Sequence, residues 1–143
     1  MTIRCEIVSQ DRTVYSGDVD IVLLPGSAGE MGILPKHAPV LTTLKYGVVK
    51  IRKAGKEEVF TVAGGVAEVQ PEVVTILADS AENVNEIDVS RAEAARKRAE
   101  EALAKPSLDT DAYLTMEAAL RRSNLRLDVA RRYKKNTNPF SGR

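Results

Sequence analysis

The chain changes its hydrophobic period between Asn85 and Ala92. Upstream, apolar residues alternate with polar ones or form short runs between turn residues, which predicts many short β-strands. Downstream, apolar residues recur every three or four positions, which predicts helices. No helix-length segment separates the strands, so the pattern predicts an antiparallel β-sandwich or flattened barrel followed by an antiparallel two-helix hairpin. We assign residues 1–84 to the β domain, residues 85–133 to the hairpin and residues 134–143 to a disordered tail.

The ends of the two predicted helices are marked by capping and breaking residues. Asp88 is the expected N-cap of the first helix, which is predicted to end at about Lys105, before Pro106. The second helix is predicted to begin near 109–111 and to run to about Tyr133. The short link between the helices favours an antiparallel hairpin.

Several turn-forming stretches divide the predicted β domain. The predicted strands are 3–8, 13–16, 19–24, 40–44, 48–52, 59–63, 66–69 and 73–77. Residues 45–47 are expected to form a turn between two of them. Gly64 and Gly65 predict a bulge or a close strand crossing in preference to a ligand cradle. Residues 26–39 hold three glycines and two prolines, which predicts an ordered loop with a functional role.

Charge is divided unevenly between the two segments. Residues 1–84 carry eight Lys and Arg against 11 Asp and Glu, a net −3, whereas residues 85–143 carry 13 against nine, a net +4. The basic bias of the second segment suits phosphates or an acidic protein surface, but it is too weak to predict nucleic-acid binding.

The reactive residue types are scarce. Cys5 is the only cysteine and His37 the only histidine, so neither an intrachain disulfide nor a metal cluster of recognised spacing is expected. The alternation around Cys5 predicts a buried apolar thiol. We find neither a phosphate-binding glycine loop nor a dinucleotide fingerprint, and no apolar run approaches the roughly 20 residues of a membrane span. The sequence therefore predicts a non-catalytic intracellular protein that reaches membranes only through partners.

Two arginine pairs lie at helical spacing in the second segment. Arg91 and Arg98 are seven residues apart, and Arg122 and Arg126 are four apart, so each pair stacks on one helix face. Arg91 also stands in the first helical turn, where a positive charge opposes the helix dipole. If the hairpin closes with these faces together, the four guanidinium groups converge and suit phosphate oxygens.

Two interpretations of these faces remain open. One is a solvated helix surface with ion pairs between residues four apart. The other is a nucleotide site in which Asp88 accepts a hydrogen bond from the base and Ile87 packs against it.

Two long motifs carry a resemblance to a known family. The stretch 29–41, Gly-Glu-Met-Gly-Ile-Leu-Pro-Lys-His-Ala-Pro-Val-Leu, resembles the signature loop of epsilon subunits of F-type ATP synthases. Residues 64–69 and 73–78 resemble the family's second block, and the similarity extends over about residues 3–133. The resemblance implies a rotor subunit of the proton-translocating enzyme, bound to the gamma subunit and the membrane c-ring. It places Glu30 and His37 towards the rotor, although the residues alone favour an exposed turn residue at Glu30 and a structural loop histidine at His37.

A third motif implies a regulatory nucleotide. Ile87-Asp88-Val89-Ser90-Arg91-Ala92 matches the Ile/Leu-Asp-x-x-Arg-Ala motif of bacterial epsilon subunits that bind ATP. By this resemblance ATP, with or without Mg, is a regulatory ligand and no catalytic cofactor is needed. The nucleotide contacts that the resemblance implies are Glu82, Ile87, Asp88, Arg91, Ala92, Arg98, Arg122 and Arg126.

The resemblance also implies a mechanism at the cytoplasmic face of the bacterial plasma membrane. The hairpin is expected to stay folded when ATP is bound and to extend towards the catalytic beta and alpha subunits when ATP falls. Extended, it would inhibit ATP hydrolysis through carboxylate contacts to Arg121, Arg122, Arg126, Arg131 and Arg132. The alternative is a purely structural rotor subunit whose hairpin inhibits without binding nucleotide. A free-standing nucleotide hydrolase is disfavoured because no general base accompanies the arginines.

Overall fold

The computed structural model describes residues 1–106 and 108–134. The chain forms two compact units, Met1–Asn83 and a second that begins at Val84. The predicted tail lies outside the described residues except for Lys134.

The first unit is a β-sandwich, as the alternation predicts. Its described strands are β1 Ile3–Val8, β2 Thr13–Val19, β3 Ile21–Gly26, β4 Gly29–Ile33, β5 Val40–Lys53, β6 Lys56–Val69, β7 Val73–Ala78 and β8 Ala81–Asn83. They follow the order β2-β1-β7-β6-β5-β3-β4, and β8 pairs with β6. The pairing of β1 with β7 is parallel, whereas the other described pairs are antiparallel, so the fully antiparallel prediction is wrong at this one place. The strands between β1 and β7 supply the long connection that a parallel pair requires.

Two strands are longer than predicted. β5 and β6 have 14 residues each, and the expected turn at 45–47 is part of β5. Their ladder runs from the pair Val40 and Val69 to the pair Lys53 and Lys56. Because this pairing fixes the backbone of both strands, the weak strand preference of the local residues does not interrupt them.

The glycine pair of β6 lies where that strand changes neighbours. β6 pairs with β8 up to Val62 and with β7 from Gly65 onward. Gly65 has a φ of 129°, and a Cβ there would overlap the carbonyl oxygen of Leu77 and lie 2.8 Å from the Cα of Ala78. The prediction of a close strand crossing is therefore confirmed.

An aliphatic cluster fills the sandwich. It draws its residues from alternate positions of the strands, and the largest fully buried members include Phe60, Ile3, Ile7, Leu24, Ile33, Ile51 and Ile76. Cys5 is part of this cluster and is 0% exposed. Burial, with a smaller contribution from the Glu6 carboxylate, raises the pKa of the Cys5 thiol to about 12. The prediction of a buried apolar thiol is confirmed.

The Gly- and Pro-rich segment is only partly a loop. Residues 29–33 form β4, which pairs antiparallel with β3, so the expectation of a loop throughout 26–39 is wrong. The rest is an ordered turn in which Lys36 has a φ of 66° and donates its backbone N–H to the Pro71 carbonyl at 2.8 Å.

The second unit contains the two predicted helices. A short 3₁₀ turn, Val84–Glu86, precedes α1 at Val89–Leu103, and α2 spans Thr110–Tyr133. Asp88 is the N-cap of α1, as predicted, and accepts the Arg91 N–H at 3.1 Å. Neither described helix combines the length and the apolar character that a membrane span requires.

The replacement Gly65→Ala tests the strand crossing. We expect the free energy of unfolding to fall by about 3 kcal/mol, because the new methyl group meets backbone atoms that side-chain movement does not relieve. Urea unfolding followed by circular dichroism measures the change. The control is Gly55→Ala, where φ is 79° but no atom lies within 4 Å of the added Cβ. It should cost only about 1 kcal/mol, and equal losses in the two variants would contradict a steric crossing.

The Cys5 thiol provides a second test. In the folded protein it should react with a thiol reagent only as fast as the β domain unfolds. Above about pH 8.5 the unfolded thiol ionises while the folded thiol stays protonated, so the free energy of unfolding falls by up to about 1.4 kcal/mol per pH unit. This contribution is fully present below that pH. Comparing urea unfolding of Cys5→Ala with wild type across pH 7–11 isolates the effect, and parallel pH profiles would refute it.

Candidate nucleotide site on the helical hairpin

Most of the buried positions on the two helices of the hairpin carry short side chains. The buried residues of α1 are Ala92 and Ala99, and those of α2 are Ser123, Val129 and Ala130. The Ser123 hydroxyl donates to the Ala119 carbonyl at 2.9 Å, which satisfies it within its own helix. Small groups at these positions let the helices approach closely.

A groove runs along one side of this contact. Its larger part has a volume of about 450 Å³ and is lined by Val89, Glu93, Arg96, Leu127, Ala130 and Arg131. A continuation of about 380 Å³ adds Asn124, Leu125 and Asp128. We call this the groove side of the hairpin.

Four arginines lie on the opposite side, which we call the arginine side. One residue corresponds to a rotation of about 100° around a helix, so the residues before and after a buried position point to opposite sides. Glu93 follows buried Ala92 and lines the groove, whereas Arg91 precedes it. Arg98 likewise precedes buried Ala99, so it points to the same side as Arg91.

The second helix obeys the same rule. Asn124 follows buried Ser123 and lines the groove, whereas Arg122 precedes Ser123. Arg126 lies one turn further along from Arg122. Because the helices are antiparallel, equal offsets bring residues of both helices to the same side of the hairpin. Arg91, Arg98, Arg122 and Arg126 therefore share the arginine side.

A long-range hydrogen bond fixes the register of the two helices. The Nζ atom of Lys134 donates to the Ile87 carbonyl at 2.6 Å, so the end of α2 is level with the start of α1. Counting the same number of residues forward from Ile87 and back from Lys134 puts Arg98 about level with the turn from Arg122 to Arg126.

Within residues 1–106 and 108–134, the guanidinium groups of Arg91, Arg98 and Arg122 have no ion pair or hydrogen bond. All three are exposed, and Arg126 is half-buried. Acidic Glu93 is on the groove side, away from them. Arg91, Arg98 and Arg122 thus present positive charge that the described carboxylates leave unpaired.

Three residues of the predicted nucleotide motif, Ile87, Asp88 and Ala92, already have structural roles in the folded hairpin. One Asp88 oxygen accepts the Arg91 N–H, and Ala92 is 0% exposed. Ile87 is 1% exposed, so in this conformation its side chain does not offer the expected packing surface to a base. Glu82 lies on β8 and belongs to the first unit, whereas the other seven expected nucleotide contacts belong to the second.

The expected partner-contact residues are dispersed over both units. Arg121, Arg131 and Arg132 are exposed on α2, and Arg131 lines the groove. Glu30 is exposed on β4, and the Nδ1 atom of half-buried His37 lies 2.7 Å from the Ala38 carbonyl.

The sequence did not predict that two leucines of the β domain are exposed. Leu34 is 57% and Leu41 71% exposed, although both occur in or beside strands where alternation places apolar residues inside. The signal for Leu41 is its position next to Val40, because neighbouring strand residues point to opposite faces.

Comparison with known proteins agrees with this two-unit architecture. A family described as "ATP synthase, Delta/Epsilon chain, beta-sandwich domain" matches residues 2–84, and one described as "ATP synthase, Delta/Epsilon chain, long alpha-helix domain" matches residues 85–131. The chain is 45% identical over 130 residues to the ATP synthase epsilon chain of Bacillus licheniformis, which covers 91% of this chain and 98% of the relative. It is 52% identical over 104 residues to the epsilon chain of Pelotomaculum thermopropionicum, with 73% and 78% covered.

A solved structure shows the same likeness. A chain in the Euglena gracilis mitochondrial ATP synthase, comprising OSCP, F1 and c-ring, superposes with a TM-score of 0.70 at 25% identity, covering 87% of this chain and 78% of that one. The fold and these matches define a protein of the β-sandwich and helical-hairpin class found in ATP synthases. The chain belongs to the ATP synthase epsilon chain family.

Proposed function

We propose that this chain is a central-stalk rotor subunit whose helical hairpin senses ATP and, when ATP is low, inhibits ATP hydrolysis. Membership in the epsilon chain family supports a place in the synthase complex. The single observation that carries the ATP-sensing part is the arginine side of the hairpin. Four arginines share it, and three of them have no carboxylate partner in the part of the chain that the structure describes.

The physical basis is charge compensation. Like charges one helical turn apart are unfavourable by a few tenths of a kcal/mol, and Arg122 and Arg126 have this spacing on α2. A triphosphate placed between the helices would replace this repulsion with charge-assisted, bidentate hydrogen bonds. Asp88 retains a second carboxylate oxygen that the cap bond does not use, which would accept a hydrogen bond from the base.

Inhibition would use part of the same surface. In the extended hairpin, Arg122 and Arg126 would pair with carboxylates of the catalytic beta subunit, together with the exposed cations Arg121, Arg131 and Arg132. ATP and the beta subunit would then compete for two of the arginines, so each ligand would favour a different hairpin state. Differential affinity of this kind is what a ligand needs to shift a conformational equilibrium.

The β domain would supply the coupling role. Exposed Leu34 and Leu41, with the Glu30 carboxylate, are groups suited to contact with the c-ring, and the gamma subunit is the other expected rotor partner. The complex would lie at the cytoplasmic face of a bacterial plasma membrane.

A second candidate function keeps the rotor role without nucleotide binding. The burial of Ile87 and the use of Asp88 as an N-cap favour it, because both residues already serve the fold. Inhibition would then depend on rotor state alone.

Calorimetric titration of the purified chain with ATP, with and without Mg, tests the sensor. Wild type should bind, and Arg98→Ala should weaken binding about tenfold or more, since a hydrogen bond to a charged group contributes about 1.5–3 kcal/mol. The matched control is Arg96→Ala, which removes the same charge from the same helix on the groove side and should leave affinity within about twofold. Absence of heat at millimolar ATP, or equal losses in the two variants, would rule out a site on the arginine side.

Deletion of residues 88–143 in the assembled complex distinguishes the two candidate functions, inhibition with ATP sensing and inhibition without nucleotide binding. If the hairpin senses ATP, the truncated complex should hydrolyse ATP faster than wild type at low ATP and equally fast at high ATP. A higher rate at every ATP concentration would favour inhibition without nucleotide binding. ATPase activity is measured across the two ranges with a regenerating system that keeps ATP constant.

A further inference from the structure

Lys134 joins the two ends of the second unit. Its side-chain ammonium donates to the Ile87 carbonyl at 2.6 Å across a sequence separation of 47 residues. Its backbone N–H donates to the Ala130 carbonyl at 3.1 Å, so Lys134 is anchored to the last turn of α2. The residue therefore holds the end of one helix to the segment that leads into the other.

The Ile87 carbonyl needs a donor because of how α1 begins. In a regular helix the Arg91 N–H would bond to the carbonyl four residues earlier, which is that of Ile87. Here the Arg91 N–H bonds to the Asp88 carboxylate instead. Ile87 is also 1% exposed, so water has little access around it. A buried carbonyl without a partner is unfavourable, and in the described residues Lys134 is the donor that satisfies it.

The same bond lies beside the proposed nucleotide motif. Ile87 and Asp88 are consecutive, and Asp88 positions the first turn that carries Arg91. If α2 swings away, the ammonium leaves and the Ile87 carbonyl loses its partner. Departure of α2 is thus linked to a change at the residues that would hold ATP.

We propose that Lys134 is a positioning residue, a latch that holds α2 against Ile87 and favours the folded hairpin in which the ATP site is assembled. The proposal rests on the proposed function for its role in ATP sensing, but the latch itself does not require nucleotide. It gives α2 a charge-assisted attachment at the one end where the chain link does not already hold it to α1.

The first test measures the hairpin without nucleotide. Spin labels at Ser90→Cys and Asp128→Cys, both exposed, report the distance between α1 and α2 in the full chain. Lys134→Met keeps the length of the side chain but removes the donor, and should increase the population at long distance about tenfold. Lys134→Arg, which restores a cationic donor, should return part of the short-distance population. The matched control is Lys105→Met, an exposed lysine at the other end of the hairpin, and should resemble wild type.

The second test measures ATP binding by calorimetry in the unlabelled variants. Apparent affinity should fall in Lys134→Met by the same factor as the folded population, because only that population binds. An unchanged distance distribution in Lys134→Met overturns the latch proposal, whatever the ATP affinity of that variant. A loss of affinity with no change in distance would assign Lys134 to direct nucleotide contact and also overturn it. If wild type binds no ATP, the proposed function fails while the distance measurement still decides on the latch.

Discussion

The long antiparallel ladder between β5 and β6 is the interaction on which the β domain depends. β3 joins the free edge of β5, and β7 and β8 join successive parts of β6, so five of the eight described strands are organised by this one pairing. Gly65 allows β6 to pass from one neighbour to the next, and its lack of a side chain is what makes the crossing possible. The aliphatic core then follows from alternation, because each strand already has one face turned inward.

In the second unit, the residues just before and just after three buried positions point to opposite sides of the hairpin and differ in charge. The positions before Ala92, Ala99 and Ser123 carry arginine, whereas Glu93 and Asn124, which follow Ala92 and Ser123, line the groove together with Arg96 and Arg131. A solvated helix surface mixes the two signs of charge, as the groove side does, and this was one of the interpretations that the sequence left open. On the arginine side, Arg91, Arg98 and Arg122 have no described carboxylate partner, which favours an anionic ligand there, whether a nucleotide or a carboxylate-rich protein surface.

The parts of the fold that local residues determine were predictable. Both helix starts follow from an aspartate whose carboxylate caps the next turn, and this needs only four consecutive residues. The strand boundaries near 45–47 were not predictable, because cross-strand pairing overrides local turn preference. The link from Lys134 to Ile87 was not predictable either, since it joins residues far apart in sequence through a side chain and a backbone carbonyl. For the candidate site, helical spacing predicted which arginines share a face of each helix, but only the buried positions show that both faces are on one side of the hairpin.

The alanine contact between the helices has a consequence for how the hairpin responds to its surroundings. Buried Ala92, Ala99 and Ala130 each contribute a single methyl group, so separating the helices at these positions exposes little apolar surface. Heat-capacity change scales with the apolar surface exposed, so the enthalpy of separating the helices at these positions should change little with temperature. Repulsion among exposed arginines is screened by ions over about 8–10 Å, so the equilibrium between folded and extended helices should respond to ionic strength.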